Sequence, residues 1–253
     1  QDIVALSYFP TRKNLKRLVS KILAWSAFRS INYLATGPEL MVDYYHHHYK
    51  IPRQKILTLY NDISLKRFYP LSAKEKAISK EKLLITSKKV ILFVHTFNKS
   101  RGADILPLIA QAMKDRKTDA VIVAIGRPGD YSLELNRQIS KYQLQDCFVN
   151  LGQVANKDID KYYKIADLFI MPSRGEGFPR VLLEAMACAC PTLSFDVGGV
   201  ANILSHSTTE ELLIPLSDEK RFVEQSLRLI SDNSLLTELG QKSYKKALHY
   251  ATA

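Results

Sequence analysis

The 253-residue chain is 46% hydrophobic and 24% charged, an ordinary globular balance with enough apolar content for one large or two modest domains. Its net charge of +11 is uneven: residues 1–89 hold 17 Lys/Arg against 6 Asp/Glu, whereas residues 90–253 hold 19 of each. No apolar run reaches the roughly 18 residues of a membrane-spanning helix and no signal-peptide pattern occurs, which excludes such a helix within these residues; Gln1 in place of Met fits a fragment or a processed chain.

The basic first third points to an anionic partner, nucleic acid or membrane, or else to a solvated face. Asp2 to Tyr8 reads as a strand and Thr11 to Arg29 as a helix. That helix sets Leu15, Leu18, Val19, Ile22 and Ser26 on one face, with Arg12, Lys13, Lys16, Arg17 and Lys21 around the rest. Trp25 and Phe28 would suit a lipid interface, although a helix of this kind more often packs on a sheet. A short strand is expected at Asn32–Thr36, a helix at Glu39–Tyr49 and another strand at Lys55–Leu59. His46, His47 and His48 are consecutive, so on a helix they splay apart and cannot converge on one metal. They read as polar surface or interdomain residues. A charged stretch, Ser72 to Lys89, follows as linker and helix.

From Val90 the pattern alternates regularly. Strands fit 90–95, 119–125, 147–151, 168–172, 192–195 and 211–214, and helices fit 102–115, 131–142, 158–166, 178–188, 218–231 and 234–249. Alternation of this kind predicts an α/β fold, a parallel sheet wound with helices on both faces. Cys147, Cys188 and Cys190 lie in or beside apolar segments and lack the Cys and His partners of a zinc site. They read as reduced, buried thiols of an intracellular protein. Tyr162 and Tyr163 read as packing residues of a helix.

One stretch organises the rest, Asp167 to Gly199. Leu168 to Met171 is an apolar run closed by Pro172-Ser173, a strand buried on both faces. The turn Arg174-Gly175-Glu176-Gly177 follows, then Pro179 in the first turn of a helix that Pro191 stops, then a second strand, Thr192 to Phe195, and a second glycine turn, Gly198-Gly199. A glycine turn between strand and helix aims the first helical N–H groups outward, and with the helix dipole these suit phosphate. Glu176 falls at the strand's carboxyl end, where open α/β sheets bind ligands, and Glu184 about two turns into the helix. Eight residues advance roughly 80° past two full turns, so the two carboxylates cannot form a close dyad, yet both could contact one long ligand. Acids beside a phosphate site suggest groups that bind hydroxyls.

Glu176 and Glu184, inside Gly-Glu-Gly-Phe-Pro and Glu-Ala-Met-Ala-Cys, resemble the E-x7-E motif of family 4 retaining glycosyltransferases of the GT-B fold (glycosyl transferases group 1). Ala166-Asp-Leu-Phe-Ile-Met-Pro-Ser173 and Asp196-Val-Gly-Gly199 match it too. Asn61 to Pro70 resembles the family's hinge, with Asp62 where Gly is usual. The resemblance covers roughly residues 30–250 and is most specific over 90–200. It implies a partial N-terminal, acceptor-side Rossmann-like domain at 1–65, a linker at 66–89 and a nucleotide-sugar donor-binding domain at 90–253.

What the resemblance implies for chemistry is transfer of a hexose from a UDP- or GDP-linked sugar to an acceptor hydroxyl, with retention, in glycan biosynthesis. Glu176 would hold sugar hydroxyls and steady the developing positive charge, and Arg101 would carry the leaving diphosphate. Donor binding would fall to Glu184, on the ribose hydroxyls, and to Thr96, Gly177, Phe178, Pro179, Arg180, Gly126, Gly152 and Val154. His95 and Thr96 replace the family's Gly-Arg pair, so one cation is lost; Lys99 is a candidate to compensate. Ala189 replaces a usual Gly, and Ala201-Asn202 a frequent Pro-Glu. No metal or cofactor is implied. The expected partners are a nucleotide-sugar donor, a glycan or lipid-linked acceptor and an anionic membrane surface, with no nucleic acid. The expected location is the cytoplasm, at the periphery of a membrane. Two alternatives stay open: a non-catalytic nucleotide-sugar-binding or partner module, and phosphorolysis of a disaccharide in the same fold.

Overall fold

The structure, a computed structural model, describes residues 26–28, 31–37, 39–59, 61–85, 89–204 and 212–251. The expected strand Asp2–Tyr8 and all of the basic helix Thr11–Arg29 except residues 26–28, which are helical, lie outside the described residues.

The first part is small. Strand β1 (Leu34–Thr36) pairs in parallel with β2 (Ile56–Thr58), in register from Leu34 opposite Ile56 to Thr36 opposite Thr58. Helix α1 (Glu39–Tyr49) joins them and packs Met41, Val42 and Tyr45 against Ile51 and Ile56 in a core cluster of its own. The expected strands here are each shorter than their apolar pattern, because pairing stops where the partner strand ends.

Helix α2 (Ala73–Lys82) lies within the linker and opens on a capping box. Ser72 Oγ accepts from the Glu75 N–H at 3.3 Å, and Glu75 Oε2 accepts from the Ser72 N–H at 2.9 Å. No α2 residue is buried, so the helix is moored by charge. Lys76 Nζ and Lys80 Nζ lie 2.6 Å and 2.8 Å from the two oxygens of Asp167, whose Oδ2 also accepts from the Val90 N–H at 2.8 Å. Burial pushes the Asp167 carboxyl up, but the two lysines overcome it and hold the group below the usual carboxylate range.

Beyond the linker, six strands form one all-parallel sheet: β3 (Lys89–Val94), β4 (Ala120–Ile125), β5 (Phe148–Gly152), β6 (Leu168–Met171), β7 (Thr192–Phe195) and β8 (Leu213–Ile214). They stand in the order β5-β4-β3-β6-β7-β8, so the winding direction reverses between β3 and β6. Strands β4, β6 and β7 are buried along their whole length, which requires cover on both faces. That cover comes from α3 (Leu106–Asp115), α4 (Ser132–Lys141), α5 (Ile159–Ile165), α6 (Arg180–Ala187), α8 (Glu219–Ser231) and α9 (Asn233–Ala247). In it α3 packs with α4 and α8, while α5 packs with α2 and α6, and α6 with α9. A short helix the sequence pattern had not suggested, α7 (Val200–Leu204), follows the second glycine turn.

Two details depart from expectation. Helix α3 begins at Leu106 rather than 102, because Gly102 adopts φ +77 and a Cβ there would lie 2.1 Å from Pro172 O. Pro179 is not inside α6 but just ahead of it, extended at φ −73 and ψ 117, and Arg180 is the first helical residue. At its other end α6 closes in a Schellman motif: Cys190 N–H donates to Ala185 O and Ala189 N–H to Met186 O, both at 3.0 Å, with Ala189 left-handed at φ +53. Cys147, Cys188 and Cys190 are buried thiols, none of them in a disulfide, and burial pushes the Cys188 thiol up to about 12.

Candidate functional site

The reversal between β3 and β6 opens the sheet at the carboxyl ends of these strands, where such folds take ligands. Two loops meet there, residues 95–102 after β3 and 172–179 after β6. Ala103 and Ile105 anchor the first in the core, and the buried Pro172 and Ser173 anchor the second. The second glycine turn supports the first: Gly199 N–H donates to Gly177 O at 2.9 Å. Gly198 sits at φ +53, where a Cβ would fall 1.7 Å from Glu176 O, so no other residue fits without moving that turn.

Glu176 is therefore no solvated loop acid; its side chain is 11% exposed. Its Oε1 lies 2.7 Å from Arg101 Nη1 and 3.5 Å from His95 Nε2. Arg101 Nη1 also donates to Gly175 O at 2.7 Å and lies 3.4 Å from Ser173 Oγ. Burial raises the Glu176 carboxyl, and the His95 and Ser173 hydrogen bonds with the Arg101 charge outweigh it, leaving the group below its ordinary range. Arg174 braces the turn from outside. Its N–H donates to Ser100 O at 2.9 Å, and its guanidinium pairs with Asp104 at 2.8 Å and Glu219 at 2.7 Å.

Thr96 contributes its backbone, donating N–H to His95 Nδ1 at 2.8 Å. Gly126 and Gly152 meet at the ends of β4 and β5, where Gly126 N–H donates to Gly152 O at 2.8 Å. Val154 packs partly buried against the main core. The side chain of Lys99 is exposed, so nothing places it as the substitute for the lost arginine.

Glu184 faces another way. It lines a cleft of about 260 Å3 with Arg180 from its own helix, Ser64, Arg67 and Phe68 from the hinge, and Asn156 after β5. Arg67 closes one side by donating to Asn156 O and lies 3.5 Å from Asp160. Beneath, Tyr163 is fully buried between Phe68 and Phe169, and among the described residues its hydroxyl has no partner at ordinary hydrogen-bond geometry. Glu184 is near enough for the two groups to influence each other electrostatically. Burial raises the Glu184 carboxyl above its usual range, and Tyr163, Arg180 and Arg67 offset only part of that.

Phe178 links the turn to distant chain. Its carbonyl accepts from Asn61 Nδ2 at 2.7 Å, and its ring meets Tyr250 at 5.6 Å between centroids. Tyr250 O in turn accepts from the Ile63 N–H at 3.1 Å. Pro179, buried, leads into an α6 N-terminus that has no side-chain cap. Among the described residues no group of three or more His, Cys, Asp or Glu could hold a metal ion. His46 Nδ1 lies 2.9 Å from Ile51 O and His48 stacks on Tyr44.

The structure thus gathers Glu176, Arg101, Thr96 and Gly177 at one mouth, and Glu184 with Arg180 in the adjoining cleft. Sequence reasoning missed His95 as a partner of Glu176, and Arg67 and Asn156 as walls of the cleft. Arg67 lies in the hinge segment, whose position was legible; its side chain's direction was not.

Comparison with known proteins bears on the family and the fold. The family model for glycosyl transferases group 1 matches residues 74–246. The chain is 25% identical over 193 residues to the N-acetyl-alpha-D-glucosaminyl L-malate synthase of Bacillus anthracis, covering 76% of this chain and 49% of that protein. It is 28% identical over 191 residues to the lipopolysaccharide core biosynthesis mannosyltransferase LpsB of Rhizobium meliloti, covering 74% and 53%. The fold is similar to that of Anabaena HepE in complex with UDP, with a TM-score of 0.80 at 18% identity, covering 92% of this chain and 63% of that one. The chain spans about half the length of the curated relatives it matches.

Proposed function

The chain belongs to the glycosyl transferases group 1, and from that premise we propose that it is the donor-binding part of a retaining enzyme that moves a hexose from a nucleotide diphosphate sugar to an acceptor hydroxyl. The observation that carries the reading is the division of labour between two carboxylates. Glu176 is held ionised and largely shielded at the sheet's switch point, and Glu184 lines the adjoining cleft with two arginines nearby.

In this reading the ribose hydroxyls donate to Glu184, and the diphosphate crosses from the cleft toward Arg101 and the N-terminus of α6. As the bond from the anomeric carbon to the diphosphate breaks, positive charge grows on the sugar and negative charge on the leaving oxygen. Glu176 faces the first and Arg101 the second. Arg101 now spends Nη1 on Glu176 and Gly175 O, so donor binding has to share it between carboxylate and diphosphate. The acceptor hydroxyl attacks the face the diphosphate leaves, its proton passing to the departing phosphate oxygen, and the configuration is retained.

A panel of UDP- and GDP-linked sugars with the free diphosphates, titrated by calorimetry, tests the reading. One base should bind in preference, and its sugar-linked form should bind with an added increment; absence of binding to every nucleoside diphosphate would overturn it. The basic first third supports an anionic lipid surface as a further partner, although Arg67, Lys76 and Lys80 are engaged internally. Salt-dependent co-sedimentation with anionic but not neutral vesicles is the expected result.

A further inference from the structure

Building on the donor-site reading, we propose that His95 is a positioning residue for Glu176, a hydrogen-bond donor that holds the carboxylate toward the sugar while the diphosphate draws on Arg101. His95 is the first residue beyond β3, and its backbone extends the ladder, donating N–H to Ile125 O at 3.0 Å. The neighbouring strand end packs tightly on it, since a Cβ on Gly126 would fall 1.7 Å from His95 O. The ring therefore starts from a fixed backbone.

Its tautomer follows from one contact. Nδ1 lies 2.8 Å from the Thr96 nitrogen, whose N–H can only donate, so Nδ1 accepts and carries no proton. Nε2, the atom 3.5 Å from Glu176 Oε1, is then the ring nitrogen that carries the proton and can donate to the carboxylate.

The same Oε1 takes both Arg101 at 2.7 Å and His95 at 3.5 Å. At 3.5 Å the imidazole is at the edge of bonding distance while Arg101 holds the oxygen. Once the guanidinium turns toward a diphosphate, a carboxylate with its side chain 11% exposed needs other donors, and His95 is in place beside Ser173 to supply one.

The test uses the full-length protein, its His95→Ala and His95→Gln variants, the free nucleoside diphosphate and the corresponding nucleotide sugar. His95→Ala should bind the diphosphate within about twofold of wild type and lose the increment contributed by the sugar, about tenfold. His95→Gln, whose amide can still donate to Glu176, should recover most of that increment, which a purely structural role would not produce. An increment indifferent to residue 95, or a Gln variant no better than Ala, overturns the inference alone. If wild type binds neither ligand, the donor-site reading falls and the inference with it. Should the Ala variant fail to fold, the comparison of Gln with wild type and with His95→Asn, whose shorter amide should not rescue, decides the matter.

Discussion

Glu176 and Glu184 belong to one strand–turn–helix unit, yet their surroundings drive the two carboxyls in opposite directions. Burial opposes ionisation at both. At Glu176 the His95 and Ser173 hydrogen bonds and the Arg101 charge prevail over it; at Glu184 it prevails over Tyr163, Arg180 and Arg67. Environments that separate two acids in this way suit them to different tasks.

A first consequence concerns Glu184. The folded protein holds its proton more tightly than the unfolded chain does, so stability from this group falls as pH rises through its raised folded value. Glu184→Gln is expected to raise the melting temperature at neutral pH while weakening nucleoside diphosphate binding by about 1–3 kcal/mol. Melting curves and calorimetry on one sample check both. A lower melting temperature together with unchanged affinity would remove Glu184 from the donor site.

Glu176 has the opposite sign. Its folded value is lowered, so its contribution is present above the ordinary carboxylate range and lost as pH falls through the folded value. Glu176→Gln in the complete enzyme should leave nucleotide affinity intact, or somewhat tighter because Arg101 is released from the carboxylate, and abolish transfer, because the sugar is the only part of the donor that Glu176 faces. Parallel loss of binding and turnover would make it a structural member of the turn.

Asp167 is expected to matter for stability alone. Asp167→Asn removes the carboxylate that Lys76 and Lys80 share and should cost about 2–3 kcal/mol in urea unfolding, somewhat below the range for breaking a fully buried pair. Wild type should show the same loss as pH falls below the ordinary carboxylate range, since Asp167 is also held low. Nucleotide affinity should not change. If the variant unfolds like wild type, charge is not what moors α2.

Ala189→Gly should stabilise. The left-handed residue of a Schellman motif favours glycine, and alanine there costs about 1–2 kcal/mol. The greater entropy glycine has in the unfolded chain takes back part of this, leaving about 0.5–1 kcal/mol. A denaturant midpoint that moves down would mean the Ala189 methyl packs usefully.

Much of this architecture could be read from sequence, for an identifiable reason. From Val90 onward the strands are apolar runs bounded by turn residues, and β7 and the β6 core appear where the pattern set them. The α/β class and parallel sheet follow from that alternation and are borne out. Boundaries slipped where backbone contacts overrode periodicity: at Gly102, pressed against Pro172, and at Pro179, ahead of its helix. The capping box of α2 was present as Ser72-x-x-Glu75 and could have fixed that helix start. For the site, the turn and both glutamates stood out by spacing. Their partners did not, because His95 and Arg101 reach Glu176 across some seventy-five to eighty-one positions of chain that only the sheet order brings together.

Phe178 bears on how this chain can be shortened. The family match stops at residue 246, and every side chain assigned to the donor lies before it. A version trimmed to that edge would nevertheless discard Tyr250, whose ring leans on Phe178 and whose carbonyl holds the Ile63 N–H. It would also discard Ala251, which bridges to Ile63. The practical boundary for expression or crystallisation is therefore drawn by a tail that steadies the turn carrying Glu176, a few residues past the point where sequence similarity ends.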